Sequence, residues 1–494
     1  MNSAFSLLDW GIFFLYLIVL ALSSYIFSRT KISSTKDYFT SSNSIPALAA
    51  AISIVATTQS AATFLGVPEF AYKDNFTLIG FYFSSLLAVF FVAYFFVPKF
   101  YEIKALTVYE LLENRYGKSA KQQAGVMFLV GRVLASGARL YIASLAVSMI
   151  LFLDISLLHM VISILLLLFG ALIYTYFGGV KSVIYSDIIQ TIVYVSAGGV
   201  VFYYLYTSLE LQNIYQTLDS LGKLQMIDTA TDGKFSIFGL LGGWLLLNIA
   251  AFGLDQDMSQ RVLSCKTKQD AKKSLVLSII ITIPIVFLFL WIGALLFLHY
   301  QNNTIIQSFN EEKITIFMYY ILNEMPNGLR GFVTVGAIAA ALSSTNSVLG
   351  AMSSVLIEDI YKPYKLKKEP NLDEEHFLKA SRLSVLLFAL SLFIMAMVSY
   401  FWQRYLEVSL ISFALGVMAY AYTGLLGVYF AAIFTTRGNN ILVPYALFGG
   451  FITVLILQTS LFGFTLGYDW QIVVGFVVAY CIMMLSKTSS ITSK

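Results

Sequence analysis

The chain has 494 residues, of which 58% are hydrophobic and 12% are charged, and its formal net charge is +4. Soluble globular proteins carry about 25% charged residues, so this composition and a mean hydropathy of +0.79 exclude an ordinary soluble enzyme. The basic residues lie between apolar stretches, so they indicate membrane topology and no nucleic-acid partner.

Thirteen apolar stretches of the chain are long enough to cross a bilayer, because a membrane helix needs about 20 residues. These stretches are apolar on all sides, whereas the strands of a membrane barrel alternate between apolar and polar residues. We therefore predict an all-α polytopic membrane protein with spans at residues 8–28, 46–71, 77–98, 124–153, 158–177, 182–206, 236–260, 275–299, 328–356, 380–402, 407–434, 441–462 and 469–486.

The loops between these spans predict an orientation. The first span has no Lys or Arg before it and is long for a signal peptide, so we expect it to remain as a span with the N-terminus outside. The segments that would then face the inside hold 23 Lys and Arg residues, against six in the outside segments. By the positive-inside rule, the C-terminus is cytoplasmic.

The second span is interrupted by a polar run, Ala-Thr-Thr-Gln-Ser, at residues 56–60. Hydroxyl groups in membrane helices often bond back to their own helix, which is the simpler interpretation of any single one. Consecutive polar residues, however, point to every face of a helix. The run therefore also fits a broken helix whose free carbonyl groups hold a cation, as in many secondary transporters.

The ninth span carries a run of small and polar residues at 339–347. Small residues permit close helix packing, and that is one interpretation. In addition, the carbonyl of Ala340 and the hydroxyls of Ser343 and Ser344 fall at i, i+3 and i+4, so they can converge on one side. Such oxygens without a carboxylate suit a monovalent hard cation better than Zn²⁺ or Ca²⁺.

Asp187, Arg132 and Arg139 are ionisable residues inside predicted spans. Burying a charge in a membrane costs free energy, so such residues are functional candidates by default. Asp187 could instead be a solvated residue near a helix end. Arg132 could extend its side chain to the membrane interface. Arg139 lies near mid-membrane and needs an anionic partner, which is either Asp187 as a structural pair or the carboxylate of a solute.

Several stretches resemble hallmarks of the sodium:solute symporter family, which includes sodium-coupled proline, galactose, sialic acid, pantothenate and iodide carriers. The motifs are nearest to those of the bacterial proline and sialic acid symporters. The matching stretches, in the family order, are residues 37–39, 56–66, 107–117, 178–190, 255–261 and the serine pair 343–344.

The resemblance implies a LeuT-like core of two inverted five-helix repeats within a single transmembrane transporter domain. The first repeat would comprise residues 46–206 and the second residues 236–434. One extra helix, 8–28, would precede the core, and two C-terminal helices within 441–486 would follow it.

The resemblance also implies sites for ions. A shared sodium site would use carbonyl oxygens and two adjacent hydroxyls, and its motif positions fall on Ala56, Gln59, Ala340, Ser343 and Ser344. A second sodium, which some members hold, would use Asp187, Ser343, Asn346 and Ser347. Asn346 replaces the serine of the sialic-acid type, so two-ion coupling is an open alternative.

By the same resemblance, solute binds in a central pocket lined here by Thr58, Ser60, Thr63, Tyr82, Arg139 and Asn248, and Arg132 is the alternative to Arg139 as the carboxylate-binding arginine. The acidic residue of galactose carriers has no counterpart at residues 80–85. Their gating tyrosine aligns with Ala251, which Phe252 follows, so the inner gate must differ. These features favour a small carboxylate-bearing solute, either an amino acid or an acidic sugar.

We therefore expect a sodium-coupled symporter that works by alternating access in a bacterial inner membrane. Its partners would be Na⁺, a small-molecule solute and the lipid bilayer, with a monomer expected and no cofactor other than Na⁺ as the coupling ion. The alternatives are proton coupling through Asp187, a channel or a sensor. An enzyme is not expected, because the three histidines have no zinc-type or triad spacing.

Overall fold

The computed structural model describes residues 5–28, 32–209, 213–230, 233–301, 308–309, 312–313, 315–406, 410–459 and 466–486, and most of them are helical. The helices of the first part are α1 (Leu7–Ser28), α2 (Thr35–Thr40), α3 (Ala47–Thr58), α4 (Ala61–Lys73), α5 (Ile79–Phe95), α6 (Val97–Glu102), α7 (Glu110–Tyr116), α8 (Lys118–Phe152), α9 (Leu157–Ser208) and α10 (Ile214–Ser220).

The second part continues with α11 (Ile237–Leu241), α12 (Gly243–Gly253), α13 (Gln256–Leu263), α14 (Lys268–Tyr300), α15 (Ile316–Asn323), α16 (Leu329–Ser354), α17 (Lys362–Lys368), α18 (Glu374–Leu406), α19 (Leu410–Phe434), α20 (Leu442–Gln458) and α21 (Tyr468–Met484). A π-helical turn, Val355–Tyr361, joins α16 to α17. Two short antiparallel strands, β1 (Ser308–Phe309) and β2 (Glu312–Lys313), lie between α14 and α15.

The helices agree with the predicted spans. Within the described ranges, seven helices are long and apolar enough to cross a membrane, and two bent helix pairs would each add a span. Four shorter apolar helices lie at the remaining predicted spans, in α1, the first part of α9, α20 and α21. The all-α polytopic prediction is confirmed. Residues 407–409 and 460–462 of two predicted spans lie outside the described residues.

Two of the predicted spans are bent pairs of helices. The α3–α4 pair bends by 64°, at the polar run of the second span. The predicted span at 236–260 is also bent, because α12 and α13 meet at 51°. The Asp255 side chain accepts from the backbone N–H of Asp257 and so starts a new helix. Each proposed repeat thus contains a bent pair near its start, but the division into repeats stays a prediction.

Helix α9 contains two predicted spans with a break at Gly179. This residue has φ +58°, which only glycine adopts easily. A Cβ atom there would lie 2.6 Å from the carbonyl oxygen of Tyr38, so α2 and α9 approach at backbone distance. The Tyr38 hydroxyl donates to the carbonyl of Thr175 at 2.5 Å, which holds the two elements together.

The most basic connecting segments gather on one side of the helix bundle, which we call the basic side. Hydrogen bonds join the segments at 29–45, 99–123, 261–274 and 357–379: Thr35 to Glu374, Tyr101 to Cys265, and Thr107 to Asp359. The predicted grouping of basic loops therefore agrees with the fold. Which side faces the cytoplasm stays a prediction.

Gly179→Ala should destabilise the protein by about 1–3 kcal/mol, because it forces a positive φ on a residue with a Cβ atom and pushes that atom against Tyr38. The matched control is Gly199→Ala on the same helix, where a Cβ atom would meet nothing within 4 Å. It should leave the melting temperature unchanged or raise it. Thermal melting of both purified variants measures this, and equal melting temperatures would contradict it.

Candidate functional site

The break between α3 and α4 removes the usual hydrogen bonds from two backbone carbonyl groups. In a continuous helix the N–H of Ser60 would donate to Ala56, and that of Thr63 to Gln59. Instead, the Ser60 N–H donates to the Thr63 hydroxyl at 2.7 Å, and the Thr63 N–H donates to the Ser60 carbonyl at 3.0 Å. The carbonyl oxygens of Ala56 and Gln59 are thereby released from helical bonding.

Ala56 and Gln59 both line a small cavity, which we call the ion cavity. Its wall is formed by Val55, Ala56, Gln59, Gln190, Thr191, Tyr194, Ala339, Ala340 and Ser343. Four of the five predicted sodium ligands therefore come together from α3 and α16. The fifth, Ser344, is not on this wall, and its hydroxyl bonds back to the carbonyls of Ala340 and Ala341 at 3.2 and 3.1 Å.

The simpler interpretations of the two polar runs also hold in part. The hydroxyls of Thr57 and Thr58 bond back to α3, at 2.8 Å to the Ser53 carbonyl and 2.9 Å to the Val55 carbonyl. The small residues of α16 permit close packing on α9, since a Cβ atom at Gly336 would lie 2.4 Å from that of Ala197. Packing and an ion cavity thus share the same helices.

The residues considered for a second sodium do not share one cavity. Asp187 accepts from the Ser53 hydroxyl at 2.5 Å and pairs with the guanidinium of Arg261 at 3.4 Å. Asn346 and Ser347 line a separate small cavity that has Arg261 on its wall. A guanidinium in that position disfavours a second cation beside it.

A larger central cavity contains every predicted solute-binding residue. Its wall includes Thr58, Ser60, Thr63, Tyr82, Arg132, Arg139 and Asn248. It also includes residues that the sequence did not single out, among them Phe81, Asp255, Thr282, Met418 and Tyr422. Ala251 and Phe252, at the aligned position of the gating tyrosine, lie on the same wall.

Arg132 is buried in an ion-pair cluster and does not reach the membrane interface. It is 2% exposed, pairs with Asp255 at 3.1 Å, and makes a shorter contact with Asp257. The Tyr422 hydroxyl donates to the same Asp255 carboxylate. The proposed extension of Arg132 to the interface is therefore wrong, because two carboxylates satisfy its charge inside the bundle.

Arg139 lines the central cavity without an ion pair among the described residues. Within the part of the chain that the structure describes, its side chain makes one weak hydrogen bond, to the sulfur of Met418 at 2.9 Å. The alternative that pairs Arg139 with Asp187 is wrong, because Asp187 is the partner of Arg261. Guanidinium groups form strong bidentate bonds to carboxylates, so Arg139 stays the candidate for the predicted carboxylate-binding arginine.

Sequence reasoning gave no role to Asp255, Asp257, Arg261 or Tyr422. The two aspartates lie within the predicted span 236–260, so their charge was an available signal that only the family motif used. Arg261 follows directly after that span and pairs with Asp257 at 3.1 Å as well as with Asp187. The sequence gives no reason to select Tyr422, because the chain is rich in aromatic residues and this tyrosine belongs to no motif.

Comparison with known proteins assigns the family. The profile of the sodium:solute symporter family matches residues 38–450, which is most of the chain. The chain belongs to this family, whose members are transporters. The expected class of protein is therefore confirmed.

Individual relatives and solved structures agree with this assignment. The sodium/sialic acid symporter SiaT of Proteus mirabilis is 29% identical over 72% of each chain. The sodium/sialic acid symporter NanT of Aliivibrio fischeri is 28% identical over 75% of this chain and 73% of that protein. A substrate-bound, outward-open Na⁺-coupled sialic acid symporter has a TM-score of 0.84 at 24% identity, covering 98% of this chain and 100% of that one.

A more distant structure extends the likeness in fold. Mhp1, a nucleobase-cation-symport-1 family transporter in a closed conformation, has a TM-score of 0.54 at 14% identity, covering 90% of this chain and 93% of that one. These likenesses identify the fold as LeuT-like, as the sequence motifs implied.

The two arginines of α8 should respond differently to the same substitution. Arg132→Met leaves the buried carboxylate of Asp255 without its cation and Asp257 with Arg261 alone, and it should cost about 3–5 kcal/mol of stability. Arg139→Met removes a half-buried charge that has no carboxylate partner among the described residues, so its cost should be below about 1 kcal/mol. Melting temperatures of the two variants in the same detergent measure this. A larger loss for Arg139→Met would show that its role is structural.

Proposed function

We propose that the protein imports a small carboxylate-bearing solute together with one sodium ion, by alternating access. The observation that carries the proposal is that one helix break serves two cavities. Ala56 and Gln59 face the ion cavity, while Thr58, Ser60 and Thr63 line the central cavity. Occupation of one cavity must therefore affect the backbone that forms the other.

This arrangement explains how an ion gradient could drive solute uphill. A cation bound to the carbonyls of Ala56 and Gln59 would hold the break in one conformation. The hydroxyl-bearing residues on the opposite side of the break would then be ordered for solute. Coupling of this kind is reciprocal, so solute must also tighten ion binding.

The charges of the central cavity favour an anionic solute over a zwitterion. Arg139 offers a guanidinium without a carboxylate partner. The Asp255 carboxylate on the same wall already binds Arg132 and Tyr422, so it is not available to an ammonium group. Of the two solute types that the motifs allow, an acidic sugar therefore fits better than an amino acid. The sialic acid symporters among the relatives support this choice.

The cluster of Arg132, Asp255 and Tyr422 is a candidate for the inner gate. It lies on the cavity wall where α13 leads towards the basic side, and it joins α8, α13 and α19. Release of solute on that side requires these bonds to open.

Tyr422→Phe removes the hydrogen bond to Asp255 and should speed efflux of preloaded solute from proteoliposomes. An unchanged or slower efflux would argue against the gate.

The orientation and setting complete the proposal. The basic side would face the cytoplasm of a bacterial cell across its inner membrane, and the N-terminus would lie outside. One sodium ion, and no other cofactor, would be needed. The separated positions of Ser343, Asn346 and Ser347 support one ion instead of two.

Transport in proteoliposomes with N-acetylneuraminic acid as the first solute tests this proposal. Arg139→Gln should lower uptake at least about a hundredfold, because a charge-assisted bidentate contact is lost. The control Arg437→Gln changes an exposed arginine on the basic side and should transport normally. If both variants transported equally, Arg139 would not be the anion-binding group.

The sodium site is tested by melting temperatures in sodium chloride and choline chloride, since a ligand of the folded state raises stability. The wild type and Arg139→Gln should both melt higher in sodium. Ser343→Ala should lose most of this increase, because it removes a hydroxyl from the ion cavity. No sodium effect in the wild type, with uptake driven by a pH gradient, would favour proton coupling through Asp187.

A further inference from the structure

The side-chain amide of Gln190 is buried on the wall of the ion cavity without any hydrogen bond. Gln190 is 1% exposed, and neither its amide oxygen nor its amide nitrogen has a partner among the described residues. Buried polar side chains are nearly always hydrogen-bonded, so a fully unpaired amide needs an explanation. The residue lies on α9, opposite the released carbonyls of α3.

Three further polar atoms without a hydrogen bond belong to residues near this amide, two on the wall of the same cavity and one on the preceding turn of α9. The Ser343 hydroxyl and the Gln59 amide nitrogen are unpaired on the wall of the same cavity. One carboxylate oxygen of Asp187 is also unpaired, although the other binds Ser53 and Arg261. Asp187 and Gln190 are three residues apart on one helix, so their side chains are neighbours on its surface.

The oxygen and the nitrogen of the Gln190 amide could each find a suitable partner nearby. Its oxygen is a hard, uncharged ligand of the kind that alkali cations accept. Its nitrogen is a donor, and Asp187, one helical turn earlier on α9, has an unpaired carboxylate oxygen. If the nitrogen donates to that oxygen, the amide oxygen is left for a ligand in the ion cavity.

We propose that Gln190 is a further sodium ligand, through its amide oxygen, and that Asp187 positions this ligand by accepting from its amide nitrogen. Asp187 thereby acts on the ion indirectly, while its other carboxylate oxygen stays with Ser53 and Arg261. This assignment rests on the proposed sodium coupling and identifies the residues that set ion affinity.

The size of the cavity is consistent with this assignment. Its volume is about 10 Å³, which is room for one water-sized occupant. A buried water molecule is the competing occupant, because it too would bond to the polar groups of the wall. If the occupant is a sodium ion, substitution of Gln190 changes how the melting temperature depends on sodium concentration. If the occupant is water, it does not.

A sodium titration of the melting temperature distinguishes these occupants. Gln190→Leu should raise the sodium concentration for half-maximal stabilisation at least about tenfold, because a ligand to a charged group is lost. Gln190→Glu loses the bond to Asp187 but places a negative charge beside the ion, so it should lower that concentration. The matched control is Gln471→Leu, which removes another buried glutamine, on α21, and should leave the midpoint unchanged.

A double-mutant cycle tests the part played by Asp187. Asp187→Asn should raise the sodium midpoint in the wild type but change it little in Gln190→Leu, because its effect passes through the amide. Additive effects of the two substitutions would overturn the indirect role of Asp187. The cycle is judged by the sodium midpoint, so a general loss of stability from the broken Arg261 pair does not affect it.

The outcomes separate this assignment from the function on which it rests. A sodium-specific increase in the wild type with an unchanged midpoint in both Gln190→Leu and Gln190→Glu would overturn the ligand role and leave the symporter proposal standing. No sodium-specific increase in the wild type would instead overturn the sodium site itself. If Gln190→Leu does not fold, the ligand role is judged by the sodium midpoint of Gln190→Glu. A lower midpoint supports the role, and an unchanged or higher midpoint overturns it.

Discussion

Inside a bilayer every backbone polar group needs a partner, and this constraint explains where the helices of this protein can break. A free carbonyl is tolerated at membrane depth only where protein or a polar cavity surrounds it. The break at Gln59 and Ser60 meets this condition, because both residues are buried among other helices. The two sides of the break then face different cavities, and the proposed coupling of ion and solute depends on that placement.

The buried charges follow a second constraint, which is that each must find an opposite charge or stay accessible to a ligand. Arg132 and Arg261 both contact Asp257, so the ion pairs form one connected cluster between α8 and α13, and through Asp187 they reach α9. Arg139 stands apart from this cluster on the cavity wall. This contrast agrees with the proposal that Arg139 binds solute, while the paired arginines hold helices together.

The same reasoning connects the ion cavity to the cluster. Asp187 uses one carboxylate oxygen for Arg261 and Ser53 and leaves the other unpaired. It therefore lies at the junction between the ion pairs of the basic side and the polar wall around Gln190.

The sequence by itself determined the membrane class, the thirteen spans and the break at residues 56–60, because these depend on local composition and on the order of residues along one helix. Through the family motifs it also identified part of the wall of each cavity. Only the tertiary structure decided which charges pair. Arg132 and Arg139 lie seven residues apart on one helix and look alike in sequence, but helices distant in the chain bring Asp255 and Asp257 to the first and a methionine to the second.

Hydropathy also could not predict the break before α13. An aspartate that caps a new helix and an aspartate within a continuous helix contribute equally to the hydropathy of a segment. Pairing, burial and unsatisfied atoms such as those of Gln190 depend on contacts between elements far apart in sequence, so they emerge only when the helices are packed.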